Sequence, residues 1–172
     1  MNESQSQIKI LAELAVFTAL SAVLYTIRIY TLPNGGSITA GAMVPVLWFA
    51  LRRGTIVGIE SGIILGLIVM TIEPYLFFPL QILLDYPIAF GALGLAGIFK
   101  KKPLVGVGVG MLGRFIAHFL SGVIFADIFI PVGENPFAYS AIYNGSYLIP
   151  EFIISAIIIF LLSKRKLIDI YA

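Results

Sequence analysis

The apolar segment LVGVGVGMLGRFIAHFLSGVIF, residues 104–125, decides the fold class of this chain. Its length matches the roughly 20 residues that an α-helix needs to cross about 30 Å of hydrocarbon. The whole chain shares its character, because 59% of the residues are hydrophobic, 12% are charged and the mean hydropathy is +1.01. This composition lies far outside that of soluble domains and predicts an integral membrane protein.

Further apolar segments flank this one, and turn-forming residues separate them. The pattern predicts helices over residues 8–30, 42–51, 55–72, 75–99, 104–125 and 139–163. The expected fold is therefore an all-α bundle of six transmembrane helices that forms a single domain over residues 1–172. Segment 42–51 is shorter than a full crossing, which a tilt, a kink or a start within the preceding loop would explain.

Basic residues predict the orientation of the bundle, since cytoplasmic loops carry an excess of Lys and Arg. Both termini are expected in the cytoplasm, and the protein is expected in the cell membrane as a multi-pass protein. In a six-helix arrangement most basic residues fall on one side, which is then the cytoplasmic one: Lys9, Arg52, Arg53, Lys100, Lys101, Lys102, Lys164, Arg165 and Lys166.

Polar side chains on three predicted helices lie at similar depth in the outer half of the bilayer. At 1.5 Å per residue, Asp85 is about 15 Å from the outer start of its helix, and His118 and Asn144 fall near the same level. Ionisable groups at such depth point to function, so we predict a pocket that opens to the outside. Phenol rings surround this level: Tyr75, Tyr86, Tyr139, Tyr143 and Tyr147.

Structural roles would explain single members of this set as well. A histidine or asparagine often bonds a neighbouring helix, and tyrosines often form an interfacial belt. Asp85 and His118 could form a purely structural ion pair. Arg114, one turn deeper than His118, has a structural explanation in pairing with Glu151 or Glu60.

Catalytic motifs are largely missing from the sequence. One histidine and no cysteine supply too few ligands for the usual zinc sites. The glycine run GVGVGMLG, residues 106–113, follows a basic turn and lacks GK[ST], so it is not a phosphate loop. A small intramembrane enzyme or a self-sufficient carrier that uses Asp85 and His118 stays open as an alternative.

A small-residue pair on the first helix offers a surface for close helix packing. Ala15 and Ala19 are four residues apart and share one face. This face could dock a partner helix or pack within the monomer.

Several segments, taken in order, resemble the thiamine-specific substrate-binding subunit, or S component, of energy-coupling factor (ECF) transporters. They cover nearly the whole chain. The matching segments are AxxxA in the first helix, ALRRG after the second, PLQILLDYPIAFGALGLAG in the fourth, RFIAHFLSGVIF in the fifth and YSAIYNGSYLIPE in the sixth.

The resemblance implies a six-helix bundle that captures extracellular thiamine and needs no cofactor of its own. A membrane scaffold subunit and two cytoplasmic ATPases would then use ATP to deliver the vitamin. Asp85 stands where the family binds the aminopyrimidine, and Ala15 and Ala19 match alanines that face the scaffold. The other matching pocket positions are Tyr75, Tyr86, His118, Gly122, Tyr139 and Asn144.

Two departures from the family pattern affect ligand identity. Some members have glutamate in place of Asp85, and some stack tryptophans on the ligand at positions that here lie near Gly35 and at Ala126. Tyrosines, or phenylalanines such as Phe125 or Phe137, would have to replace that stacking. Another flat vitamin or a pyrimidine precursor therefore stays open as ligand. The glycine-containing loop TLPNGGSIT, residues 31–39, is flexible enough to act as a lid, and an ordinary loose connector stays open as the alternative.

Overall fold

Six helices form a bundle in the part of the chain that the computed structural model describes, residues 3–165. Met1, Asn2 and residues 166–172, which include Lys166 and both predicted cytoplasmic termini, lie outside the described residues. The single domain over 1–172 and the orientation stay predictions. The helices of the bundle are α1 (Glu3–Thr26), α2 (Val44–Arg53), α3 (Thr55–Ile72), α4 (Pro79–Phe99), α5 (Pro103–Ile124) and α6 (Pro136–Lys164), and a single helical turn, Ala126–Phe129, follows α5.

Five of these described helices are long and apolar enough to cross a membrane: α1, α3, α4, α5 and α6. The predicted all-helical membrane fold is thereby confirmed. The short α2 rises only about 15 Å at 1.5 Å per residue. Its side chains from Val44 to Leu51 are almost entirely buried, so α2 forms the centre of the core rather than a complete crossing.

A β-hairpin lies where the sequence predicts a turn-rich, flexible loop after the first helix. The prediction that this helix continues to Tyr30 is wrong, because α1 ends at Thr26 and the chain pairs as antiparallel strands β1 (Arg28–Thr31) and β2 (Ser37–Thr39). Between the strands, Gly35 adopts φ +86°, which glycine reaches without a steric penalty. Residues 27–40 thus form an ordered cover.

Helix α4 begins later than predicted and changes its geometry along its length. Its first turn starts at Pro79, a position where a missing backbone N–H is harmless, rather than at Tyr75. Residues Leu84–Ile88 form a π-helical turn around Pro87, and Ala92–Phe99 wind as a 3₁₀-helix. Such π-turns occur frequently at functional sites, and this one contains Asp85.

Backbone contact between α3 and α4 depends on three glycines spaced four residues apart on α3: Gly58, Gly62 and Gly66. A Cβ added at Gly62 would lie 2.2 Å from the Phe90 carbonyl oxygen, and one at Gly66 would lie 2.5 Å from that of Tyr86. Small residues allow this approach in membrane bundles. The contact fixes α4 against α3 along much of its length.

At the end of the bundle where the basic residues cluster, a charged contact joins α1 to α2. Arg53 donates two hydrogen bonds of 2.7 Å to the Glu13 carboxylate. Arg52 lies 3.6 Å from the same carboxylate. The ALRRG segment therefore anchors the end of α2 to α1.

We predict that Gly62→Ala destabilises the protein by about 1–3 kcal/mol, because the new methyl group would force α3 away from α4. Gly108→Ala on α5 is the matched control, since nothing lies within 4 Å of its added Cβ. Alanine there should be neutral or stabilising by up to about 1 kcal/mol. Thermal unfolding in detergent measures both, and equal melting temperatures would contradict this account of the α3–α4 contact.

Candidate ligand-binding cavity

A cavity of about 810 Å³, counting its open mouth, lies between the hairpin and the helices. Side chains from α1, α3, α4, α5 and α6 line it, and the hairpin covers it. Its size is in the range of pockets for small organic ligands. The helices therefore surround a ligand-sized space at the end of the bundle where the hairpin lies.

The seven pocket positions that the family resemblance implies all meet at this cavity. Their role in ligand binding stays a prediction, but their common location is a finding. The lining includes Tyr75, Asp85, Tyr86, His118, Gly122, Tyr139 and Asn144.

A polar chain runs across the wall from α4 to α5. His118 Nδ1 lies 3.2 Å from Asp85 Oδ1, and Gln81 Nε2 donates to Asp85 Oδ2 at 2.6 Å. On the other side of the imidazole, Arg114 Nε donates to His118 Nε2 at 3.4 Å. Because arginine has no acceptor, Nε2 carries no proton in this arrangement and Nδ1–H donates to Asp85.

Arg114 lies in the cavity wall, and the pairing with Glu151 or Glu60 that the sequence left open is not found among the described residues. Within the described part of the chain its guanidinium makes no ion pair and instead covers the Phe90 ring at 4.3 Å from the centroid. Glu151 accepts a hydrogen bond from the backbone N–H of Thr39. The buried glutamate thus fastens β2 to α6, and the guanidinium is left facing the cavity.

Asn144 is held in place by two neighbours on α6. Its amide nitrogen donates to the Ser140 carbonyl at 2.9 Å, and its oxygen accepts from Tyr147 Oη at 2.9 Å. Gly122 on α5 leaves room for the Ser140 side chain, since a Cβ there would lie 2.4 Å from Ser140 Oγ. The glycine therefore permits α5 and α6 to meet closely at the cavity wall.

Three tyrosines one helical turn apart on α6 form an aromatic wall: Tyr139, Tyr143 and Tyr147. The rings of Tyr139 and Tyr143 are nearly parallel with centroids 6.3 Å apart, and Tyr147 meets Tyr143 edge-on at 6.0 Å. The expected aromatic replacements Phe125 and Phe137 are absent from the described lining. Phe125 stacks on Phe78 instead, so the tyrosines, Phe90 and Phe129 supply the aromatic surface.

The hairpin tip rests directly on this aromatic wall. Gly36 N–H donates to Tyr143 Oη at 3.1 Å, and the Asn34 side chain donates to the Phe129 carbonyl at 3.3 Å. A Cβ on Gly36 would lie 2.6 Å from the Tyr147 ring. The tip therefore fits only because glycine has no side chain.

A cluster around Glu73 was missed by the sequence analysis. Tyr25 Oη donates to Glu73 Oε2 at 2.6 Å, and Arg28 forms an ion pair with Oε1. Tyr86 Oη donates to the Glu73 carbonyl oxygen. Tyr25 and Glu73 both line the cavity, and no sequence pattern singled them out because polar residues are ordinary at helix ends.

The chemistry of the lining suits a flat, polar-edged ligand. Asp85, Asn144 and the phenols offer hydrogen bonds at ring edges, while the tyrosine faces accept an aromatic or cationic ring. No group of three metal-ligating side chains occurs in residues 3–165. Fold and cavity together define a multi-pass membrane protein with a binding site for a small organic solute.

The chain belongs to the thiamine transporter protein family, whose model matches residues 11–169. The resemblance noted in the sequence is thereby confirmed, and the location in the cell membrane follows. The thiamine transporter ThiT of Bacillus subtilis (strain 168) is 34% identical over 94% of this chain and 93% of its own length. ThiT of Lacticaseibacillus paracasei is 27% identical over 83% of this chain and 81% of its own length.

The fold also matches a solved structure. A structure of ThiT from Listeria monocytogenes superimposes with a TM-score of 0.83 and is 26% identical in sequence. The match covers 93% of this chain and 96% of that chain. All these relatives are named as transport proteins, which makes this chain a transport subunit rather than an enzyme.

We predict that Tyr143→Phe loosens the hairpin tip, because the Gly36 N–H loses its acceptor. Amide hydrogen exchange of residues 34–37 should become at least severalfold faster, as expected for a lost hydrogen bond of about 1 kcal/mol. Tyr30→Phe, at an exposed position on β1, is the control and should leave exchange unchanged. Equal exchange in all three proteins would show that Tyr143 does not hold the tip.

Proposed function

We propose that this protein is the thiamine-binding S component of an ECF-type importer. The observation that carries the proposal is the pairing of Asp85 with His118 in a cavity that also holds Asn144. The family of the chain and the names of its relatives support thiamine as the ligand.

The aminopyrimidine end of thiamine matches the polar chain on α4 and α5. Asp85 accepts hydrogen bonds from His118 and Gln81 and keeps free lone pairs, so it can accept from the exocyclic amine. Tyr139 in the same lining offers a hydroxyl donor for a ring nitrogen. Asn144 donates its amide hydrogens to Ser140, and its Oδ1 keeps a lone pair that can accept a hydrogen bond from the ligand. A ligand that lacks the amine would leave a buried carboxylate with one fewer donor and would bind less tightly.

The thiazolium end carries a positive charge and matches the aromatic wall. Tyrosine faces attract a cation through the ring quadrupole by about 0.5–2 kcal/mol each. Tyr139, Tyr143 and Tyr147 supply those faces where other members of the family use tryptophan. The sole tryptophan, Trp48, packs on Phe17 of α1 at 5.5 Å and takes no part in the described lining.

Delivery into the cell would depend on a membrane scaffold subunit and two cytoplasmic ATPases, which supply the ATP hydrolysis. The protein itself would need no cofactor. Ala15 and Ala19 are exposed on α1 rather than packed inside the bundle, which supports a role as the face that contacts the scaffold. Small residues there would allow a partner helix to approach closely.

Calorimetric titration of the detergent-purified protein with thiamine tests the binding site. We expect tight 1:1 binding, and we expect Asp85→Asn to weaken it by roughly 10- to 100-fold through loss of a charge-assisted hydrogen bond. Tight binding of a hydroxymethyl pyrimidine instead of thiamine would move the assignment to a precursor. Absence of binding to either ligand would overturn the proposal.

Uptake by the complete transporter in vesicles tests the docking face. Ala15→Leu combined with Ala19→Leu should abolish ATP-dependent uptake of thiamine yet leave its binding unchanged. Leu20→Phe, which adds volume at an exposed position on another face of α1, is the control and should transport normally. Uptake by this subunit alone, without ATPases, would instead indicate a self-sufficient carrier.

A further inference from the structure

We propose that Gln81 is a positioning residue that sets the Asp85 carboxylate for recognition of the ligand amine. The inference rests on the proposed function, since it assigns how the pyrimidine end is read. Gln81 is absent from the described cavity lining and no part of its surface is exposed. It would therefore act through Asp85 and not by touching the ligand.

Every polar atom of the Gln81 side chain has a partner. Its Oε1 accepts from the Phe77 backbone N–H at 3.1 Å, and its Nε2 donates to the Tyr75 carbonyl at 3.1 Å and to Asp85 Oδ2 at 2.6 Å. The two backbone partners require that oxygen face one and nitrogen the other. The amide hydrogen is therefore directed at Asp85 by the chain segment before α4.

This contact fixes the second oxygen of Asp85. His118 holds Oδ1 from α5 and Gln81 holds Oδ2 from one turn earlier on α4. Because both oxygens are held as acceptors, the carboxylate keeps one rotamer. Aspartate is one methylene shorter than glutamate, so its reach depends on this fixed placement and on the π-turn that carries it.

The same side chain links the carboxylate to the cavity wall at Tyr75. Gln81 bonds the backbone of Tyr75 and Phe77 on one side and Asp85 on the other. Tyr75 also donates its backbone N–H to Tyr86 Oη at 2.9 Å. Gln81 thus both supports the cavity wall at Tyr75 and positions the Asp85 carboxylate. The test has to separate these two roles.

Calorimetric titration of the unmodified protein and of Gln81→Leu with two ligands separates the role of Gln81 in the cavity wall from its role at Asp85. Thiamine carries the amine at the pyrimidine ring, and oxythiamine carries an oxygen there. We expect Gln81→Leu to weaken thiamine by about 10- to 100-fold, the range for a lost charge-assisted hydrogen bond, but to weaken oxythiamine less than threefold. Equal losses for both ligands would mean that Gln81 only supports the wall, and would overturn the proposal.

A second test introduces Gln81→Leu into a protein that already carries Asp85→Asn. In that background Gln81→Leu should have little further effect on thiamine binding, because the carboxylate it positions is gone, and full additivity would also overturn the proposal. If Gln81→Leu does not fold, Gln81→Glu takes its place, since it keeps the shape and the acceptor for Phe77. Leu83→Ala, at an exposed position on the same helix, should change nothing.

The results for the Gln81 variants can be told apart from a failure of the proposed function. Thiamine binding by the unmodified protein decides that function, and only then do the variants decide the role of Gln81. Unchanged thiamine affinity in a folded Gln81→Leu protein would overturn the inference and leave the function intact.

Discussion

The hydrogen bond between His118 and Asp85 is the interaction on which the cavity depends. A carboxylate inside a membrane bundle is energetically costly unless partners hold it. Helices α4 and α5 must therefore stay close enough to keep His118 Nδ1 at 3.2 Å from Asp85 Oδ1. Gln81 and Arg114 extend the contact at its two ends. From the opposite side, the glycines of α3 hold the backbone of α4, and the Asp85 turn is thereby fixed between two neighbours.

Apolar segment length predicted the helices well because the bilayer fixes how long a crossing must be. Helix α3 was predicted at 55–72 and is found there, and α5 differs by one residue at each end. The hairpin was not predicted, because apolar residues continue past Thr26 and mimic a longer helix. Its strands depend on distant partners such as Glu151 on α6, and local patterns carry no record of those.

Depth along a helix also brought the site residues to one level, since rise per residue is constant. The direction in which a side chain faces around its helix axis was less predictable. The sequence left open whether Arg114 pairs with a carboxylate, and its side chain lies in the cavity wall. Phe125 was one candidate for stacking on the ligand, and it stacks on Phe78 instead. Small differences in the angle at which two helices cross decide which side chains face the cavity. These differences arise from glycine contacts that the apolar pattern alone does not reveal.

The ordered hairpin has a kinetic consequence. Two hydrogen-bonded strands open less readily residue by residue than a loose loop does, so a motion that uncovers the cavity would carry both strands together. The natural pivots are its ends, near Ile27 and at Gly41, whose φ of +88° only glycine adopts easily. The tip is hydrogen-bonded to Tyr143 and Phe129, so a motion that uncovers the cavity would have to break these two bonds together.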